Sequence, residues 1–83
     1  MEVNRPILLV EDDPYQAMRL KLGLEAGGCA VHWSATGTAG LATARSQPFN
    51  LIVLDVELPD INGFEVCRRL KADAAVAAIP VVI

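Results

Sequence analysis

The 83-residue sequence has little of what builds a stapled or metal-fingered domain. Its two cysteines, Cys29 and Cys67, lie far apart with no CxxC pairing, which excludes a disulfide framework and a zinc ribbon. It has one histidine, His32, so no imidazole cluster is available for a transition metal. No apolar run approaches the roughly 18 residues that span a bilayer, and residues 1–6 lack a signal-peptide pattern. A reduced, cytoplasmic setting with no membrane partner is therefore expected. Seven Lys and Arg against ten Asp and Glu, a net charge of −3, argue against a direct nucleic-acid partner. What is present is apolar: 53% hydrophobic residues with 20% charged exclude a disordered chain. The length allows one domain, and a chain this short hides roughly 60–65% of its unfolded surface, so its core is thin.

The apolar residues come in short continuous runs. Ile7-Leu8-Leu9-Val10 ends abruptly in Glu11, Asp12 and Asp13, and Leu51-Ile52-Val53-Leu54 ends in Asp55. Unbroken rather than alternating hydrophobicity predicts strands buried on both faces of a parallel sheet. After the first run, Asp13 reads as an N-cap with Pro14 in the first helical position and Gln16 completing a capping box. A helix then runs with a broad apolar face over Ala17, Met18, Leu20, Leu22 and Leu24 until Gly27-Gly28 stops it. Residues 29–35 read as a second strand and 36–46 as an Ala-rich helix weakened by Gly37 and Gly40. Pro48-Phe49-Asn50 is a turn, 58–63 a loop, 64–72 a helix with Phe64, Val66, Cys67 and Leu70 for packing, and 73–78 a small-residue connection. Residues 79–83 open a fourth strand. The pattern β-α-β-α-β-α-β predicts an α/β fold with right-handed crossovers and a parallel sheet.

Parallel strands bring Glu11, Asp12 and Asp55 out at one carboxyl edge, within several ångströms if their strands, about 4.8 Å apart, are neighbours. That edge is where open α/β sheets hold ligands. Converging carboxylates raise one another's pKa unless a cation sits among them, and a hard, oxygen-ligated ion such as Mg²⁺ suits them. A carboxylate nucleophile beside such an ion is equipped to accept a phosphoryl group as an acyl phosphate. Acids at strand ends are otherwise simply solvated loop residues.

The residues Ile7-Leu8-Leu9-Val10-Glu11-Asp12-Asp13-Pro14 and Leu51-Ile52-Val53-Leu54-Asp55-Val56-Glu57-Leu58-Pro59-Asp60-Ile61-Asn62-Gly63 resemble the first and third strands of response-regulator receiver domains. The second block is specific: an Asp, a Pro four positions on and a Gly eight positions on. The resemblance runs from about Arg5 to Ile83. It implies a flavodoxin-like parallel sheet with helices on both faces, in the order 2-1-3-4, truncated after the fourth strand, so that residues 1–83 are the N-terminal two-thirds of the domain. It implies Asp55 as phosphoacceptor, Asp12 as direct Mg²⁺ ligand, Glu11 as the acid holding metal-bound water, and Glu57 as the residue whose backbone carbonyl ligates the metal. Pro59 and Gly63 match the loop that shapes the pocket. A histidine kinase or phosphotransfer protein would supply the phosphoryl group in a two-component phosphorelay, and the chain would not itself be an enzyme.

The departures from the family pattern are on the phosphate-sensing side. The sequence lacks the hydroxyl that follows the fourth strand and the Lys of the fifth, and Lys21 and Lys71 both read as helical surface. An uncovered edge of the fourth strand invites self-association. Two rival functions follow: a non-phosphorylated pseudo-receiver that binds a protein partner, and a metal-dependent phosphatase or nuclease. The second needs a DxD-type pair, and Asp55-Val56-Glu57 would supply one only if the strand continued past Asp55. Trp33 and Phe64 read as packing residues, His32 as structural or exposed, Cys67 as a small buried hydrophobe, and Arg68-Arg69 as a solvated helix face. Gly37 and Gly40 form GTAG, which is not a dinucleotide fingerprint.

Overall fold

A computed structural model describes residues 5–83; the first four residues of the stretch without a signal pattern lie outside it. The strands form where the apolar runs are: β1 (Ile7–Val10), β2 (Val31–Ser34), β3 (Leu51–Leu54) and the two-residue β4 (Val81–Val82). They make one sheet in the order β2-β1-β3-β4, with every neighbouring pair parallel. This is the expected order and direction. β1 is central and buried along its whole length, which is why its four residues are all aliphatic. β4 is shorter than the predicted run, because Ile79 and Pro80 belong to the turn that delivers it; Pro80 nevertheless accepts a hydrogen bond from Ile52 N–H at 2.9 Å.

Three helices link the strands: α1 (Pro14–Ala26), α2 (Gly37–Ser46) and α3 (Gly63–Ala72). Each starts at a side-chain cap. Asp13 accepts from Tyr15 N–H, Thr36 from Ala39 N–H and Asn62 from Phe64 N–H. The principal core lies between the sheet and the α2–α3 layer: Leu8, Val10, Ile52 and Leu54 of the strands meet Leu41, Ala44, Val66 and Leu70, with Phe49 and Val76 closing it from the loops. Gly40 is part of that fit rather than a weakness in the helix. A Cβ there would lie 2.8 Å from Val10 Cγ2, so α2 approaches β1 as closely as it does only without one.

Two expected packing faces are narrower than the sequence predicts. On α1 only Ala17 is buried and Leu24 half-buried, while Met18 and Leu22 are 54% and 58% exposed. The helix meets the sheet along the line 17, 21 and 24, and Met18 and Leu22 stand one step, or 100°, round from it. On α3 the covered line is Gly63, Val66, Cys67 and Leu70, and Phe64 is left outside it and exposed.

The connection from α3 to β4 is held by polar contacts that the sequence does not announce. Lys71 Nζ donates to the carbonyls of Ala77 (3.0 Å) and Ile79 (2.8 Å), so it is a clamp rather than a free surface residue. Asp73 accepts from Ala75 N–H at 3.0 Å and pairs with Arg45 at 2.8 Å. No helix among the described residues is long and apolar enough to cross a membrane.

Candidate metal centre

The sheet's hydrogen bonding runs one residue past its strands at the carboxyl edge. Asp55 N–H donates to Val10 O at 2.9 Å, and Glu11 N–H donates to Ser34 O at 3.1 Å. Three strand ends are thus tied at one level, and the two acidic blocks leave the sheet side by side. One carboxylate oxygen each from Glu11, Asp12 and Asp55 lies within 4.8 Å of the others. Glu11 and Asp55 are half-buried and Asp12 is exposed. With Asp13, Gln16 and Glu57 they line an open cleft of ≈ 380 Å³. The residues expected to converge therefore do so, and Glu57 is at the same cleft.

Burial pushes the Glu11 carboxyl above its ordinary range, and the neighbouring Asp55 and Asp12 add to the rise; the bond from Asp13 N–H opposes it. That bond, to Glu11 Oε2 at 3.3 Å, corrects the predicted capping box. Gln16 lines the cleft, and the Asp13 amide turns back to Glu11. The Glu11 carboxylate is thus partly held by backbone. Among the described residues the cleft lining contains no Lys or Arg, and Lys71 is engaged with Ala77 and Ile79.

The loop after Asp55 is fixed at both ends. β3 stops at Leu54, so strand alternation does not carry on to Glu57, although both acids line the cleft. Gly63 is buried directly beneath Asp55; its N–H donates to Val56 O at 2.8 Å, and a Cβ on it would overlap the Asp55 carbonyl oxygen. Only glycine lets the chain turn into α3 that close to the acid. At the other end, Asp60 accepts from Gly37 N–H (2.8 Å) and Thr38 N–H (2.7 Å), clasping the loop to the start of α2.

Sequence reasoning missed this clasp and a second contact. Trp33, read as a packing residue, is 44% exposed, and its indole Nε1 donates to Glu11 O at 2.7 Å. Neither has a local signal, since the partners are 23 and 22 residues apart in the chain. The strand register would have been needed to find them. His32 agrees with its structural reading: it is exposed, edge-on to Phe49 at 5.7 Å and within hydrogen-bonding distance of Gln47.

The donor set is made only of oxygen. Three carboxylates with room for water fit a hard divalent cation of the Mg²⁺ kind and offer no nitrogen or sulfur to zinc. The arrangement also presents Asp55 half-buried at the end of its strand, with its N–H bonded to Val10 O.

Comparison with known proteins gives the same frame. The family described as "Response regulator receiver domain" matches residues 7–83. Among curated relatives, Protein PilH of Pseudomonas aeruginosa is 38% identical over 77 residues, covering 93% of this chain and 64% of PilH. The transcriptional regulatory protein AfsQ1 of Streptomyces coelicolor is 49% identical over 65 residues, 78% of this chain and 29% of AfsQ1. The chain therefore spans less than two-thirds of either relative. Among solved structures, the receiver domain of sensor histidine kinase PA1611 from Pseudomonas aeruginosa PAO1 superimposes with a TM-score of 0.88 at 28% identity, covering 93% of this chain and 63% of that one. That structure has a magnesium ion coordinated in its active site cleft.

Proposed function

Because this chain belongs to the response regulator receiver domain family, we propose that it carries the acidic half of a phosphoacceptor site, with Asp55 the residue phosphorylated. The observation that bears most weight is the convergence of Glu11, Asp12 and Asp55 within 4.8 Å. The 83 residues correspond, on this reading, to the N-terminal two-thirds of a receiver domain, in keeping with the 63% of the PA1611 receiver domain that they cover. The setting is cytoplasmic.

Asp12 and Asp55 would hold Mg²⁺ through their carboxylates and Glu57 through its backbone carbonyl, with Glu11 holding metal-bound water. The ion supplies neutralisation of charge on the transferring phosphoryl oxygens. In the transfer itself, an Asp55 carboxylate oxygen attacks phosphorus as the P–N bond of a phosphohistidine donor breaks, and the bonding electron pair returns to the imidazole. The Asp55 N–H bond to Val10 and the glycine beneath its carbonyl keep that acid from swinging during the attack.

The donor is a histidine kinase or phosphotransfer protein. Tyr15, Met18 and Leu22 give α1 an exposed apolar stripe that starts beside Asp12 and Asp13, and a helical partner fits there. A second reading, the pseudo-receiver that binds a partner without phosphorylation, rests on the same exposed stripe, which a partner can occupy whether or not Asp55 is modified.

Intact-mass spectrometry after incubation with Mg²⁺ and acetyl phosphate separates the two. The expected result is one added phosphoryl group, lost in Asp55→Asn. No adduct on a folded chain would show that the acidic half alone does not take up the phosphoryl group, and would favour the binding module.

A further inference from the structure

Glu11 is tied to β2 through both of its peptide groups. Its N–H donates to Ser34 O at 3.1 Å, which continues the parallel ladder. Its carbonyl accepts from the Trp33 indole Nε1 at 2.7 Å. β2 has ended at Ser34, and a side chain does there what strand backbone does elsewhere. The register makes this possible. Leu9 pairs with Trp33, so the indole starts on the neighbouring strand two residues behind Glu11 and on the same face of the sheet, close enough to reach it.

The carbonyl involved belongs to the peptide that joins Glu11 to Asp12. Asp12 is exposed, and its direction is not imposed by packing. Rotation of the 11–12 peptide would change the backbone torsion of Asp12 and swing its carboxylate away from Asp55. Burial gives a weak account of a tryptophan here, because the ring is 44% exposed, whereas the hydrogen bond is short and specific.

We propose that Trp33 is a positioning residue of the acidic site: its indole N–H fixes the Glu11–Asp12 peptide, and with it the direction from which Asp12 offers its carboxylate to a divalent cation. This rests on the reading of Glu11, Asp12 and Asp55 as a cation site. The carboxylates carry the affinity, and the indole acts by keeping one of them oriented before the ion arrives.

Mg²⁺ alone is the probe. Trp33 is the single tryptophan of the chain, so one indole N–H signal in a ¹⁵N–¹H spectrum reports on this bond. Titrated with Mg²⁺, that signal moves with the midpoint measured by calorimetry. Trp33→Phe keeps an aromatic ring and removes the donor; it weakens Mg²⁺ binding by about tenfold, the lower end of the loss seen when an outer-sphere partner is removed. A purely structural tryptophan would instead lower the stability of the metal-free chain and leave Mg²⁺ affinity within about twofold of wild type, and that result overturns the proposal. So does an indole signal that stays still through the titration, which decides the matter even if Trp33→Phe does not fold. If the wild type shows neither heat nor any shift with Mg²⁺, the cation site itself is wrong, and the role of Trp33 falls with it.

Discussion

Asp60 holds the Gly37 amide at 2.8 Å across the top of the fold and the Thr38 amide at 2.7 Å with its other oxygen. One carboxylate thereby caps α2 and anchors the loop that leaves Asp55. The hydrogen bond from the Thr38 side chain and those from the Thr38 and Gly37 amides hold the Asp60 carboxyl far below the usual carboxylate range.

Asp60→Ala should free both ends of this contact. Hydrogen exchange will show the Gly37 and Thr38 amides exchanging faster, along with the amides of residues 56–62, while β1 keeps its protection. Unchanged exchange at Gly37 and Thr38 would mean the clasp is not formed in solution.

The same substitution at two helical glycines should have opposite signs. At Gly23 an added Cβ meets nothing within 4 Å, so Gly23→Ala gains up to about 1 kcal/mol from helix propensity. At Gly40 the Cβ would press on Val10, which is fully buried and cannot give way. Overpacking costs about 1–3 kcal/mol and outweighs the propensity gain. Urea unfolding of the two variants, compared at equal m-value, checks the pair.

Stability should fall as pH rises when no divalent ion is present. The Glu11 pKa is raised above its ordinary 4.5, so its contribution is fully present below 4.5 and is lost as pH climbs through the raised value. Thermal melts in EDTA will show this decline, and Glu11→Gln will flatten it. Saturating Mg²⁺ reverses it, adding about 2.7 kcal/mol at a hundredfold excess over Kd. On the acid side the sign is opposite: hydrogen bonds from Arg68 and Arg69 lower Glu65 to about 2, so its contribution is present above 4.5 and disappears as pH falls towards 2.

Among the described residues no strand pairs with the outer edge of β4, and Val82 on that strand is 53% exposed. Unpaired strand edges with apolar residues recruit further strands. Light scattering should give a mass that rises with concentration, and Val82→Lys should return the monomer. A wild-type monomer throughout the range would remove self-association from the account.

The sequence was most informative where chemistry and chain position coincide. Two unbroken apolar runs ending in acids suffice to place β1, β3 and the converging carboxylates, because strand direction alone brings their ends together. The Asp13 cap and Pro14 likewise mark the start of α1 within a few residues. What stayed hidden depends on distant partners. Met18 and Leu22 look like core from periodicity, and only the docking angle of α1 leaves them outside. Trp33, Asp60 and Lys71 carry the functional end and the last connection through hydrogen bonds to backbone atoms, and a backbone acceptor leaves no trace in the residue string.

The strand order has a further consequence for a nascent chain. β2 joins β1, β3 joins β1 on its other side, and β4 joins β3, so each strand after the first finds its neighbour already synthesised. These four strands can assemble outward from β1 in the order in which the ribosome delivers them. The acidic cleft, lying between the first strand and the third, is then assembled at a definite moment of translation, when Asp55 and the glycine beneath it have both emerged.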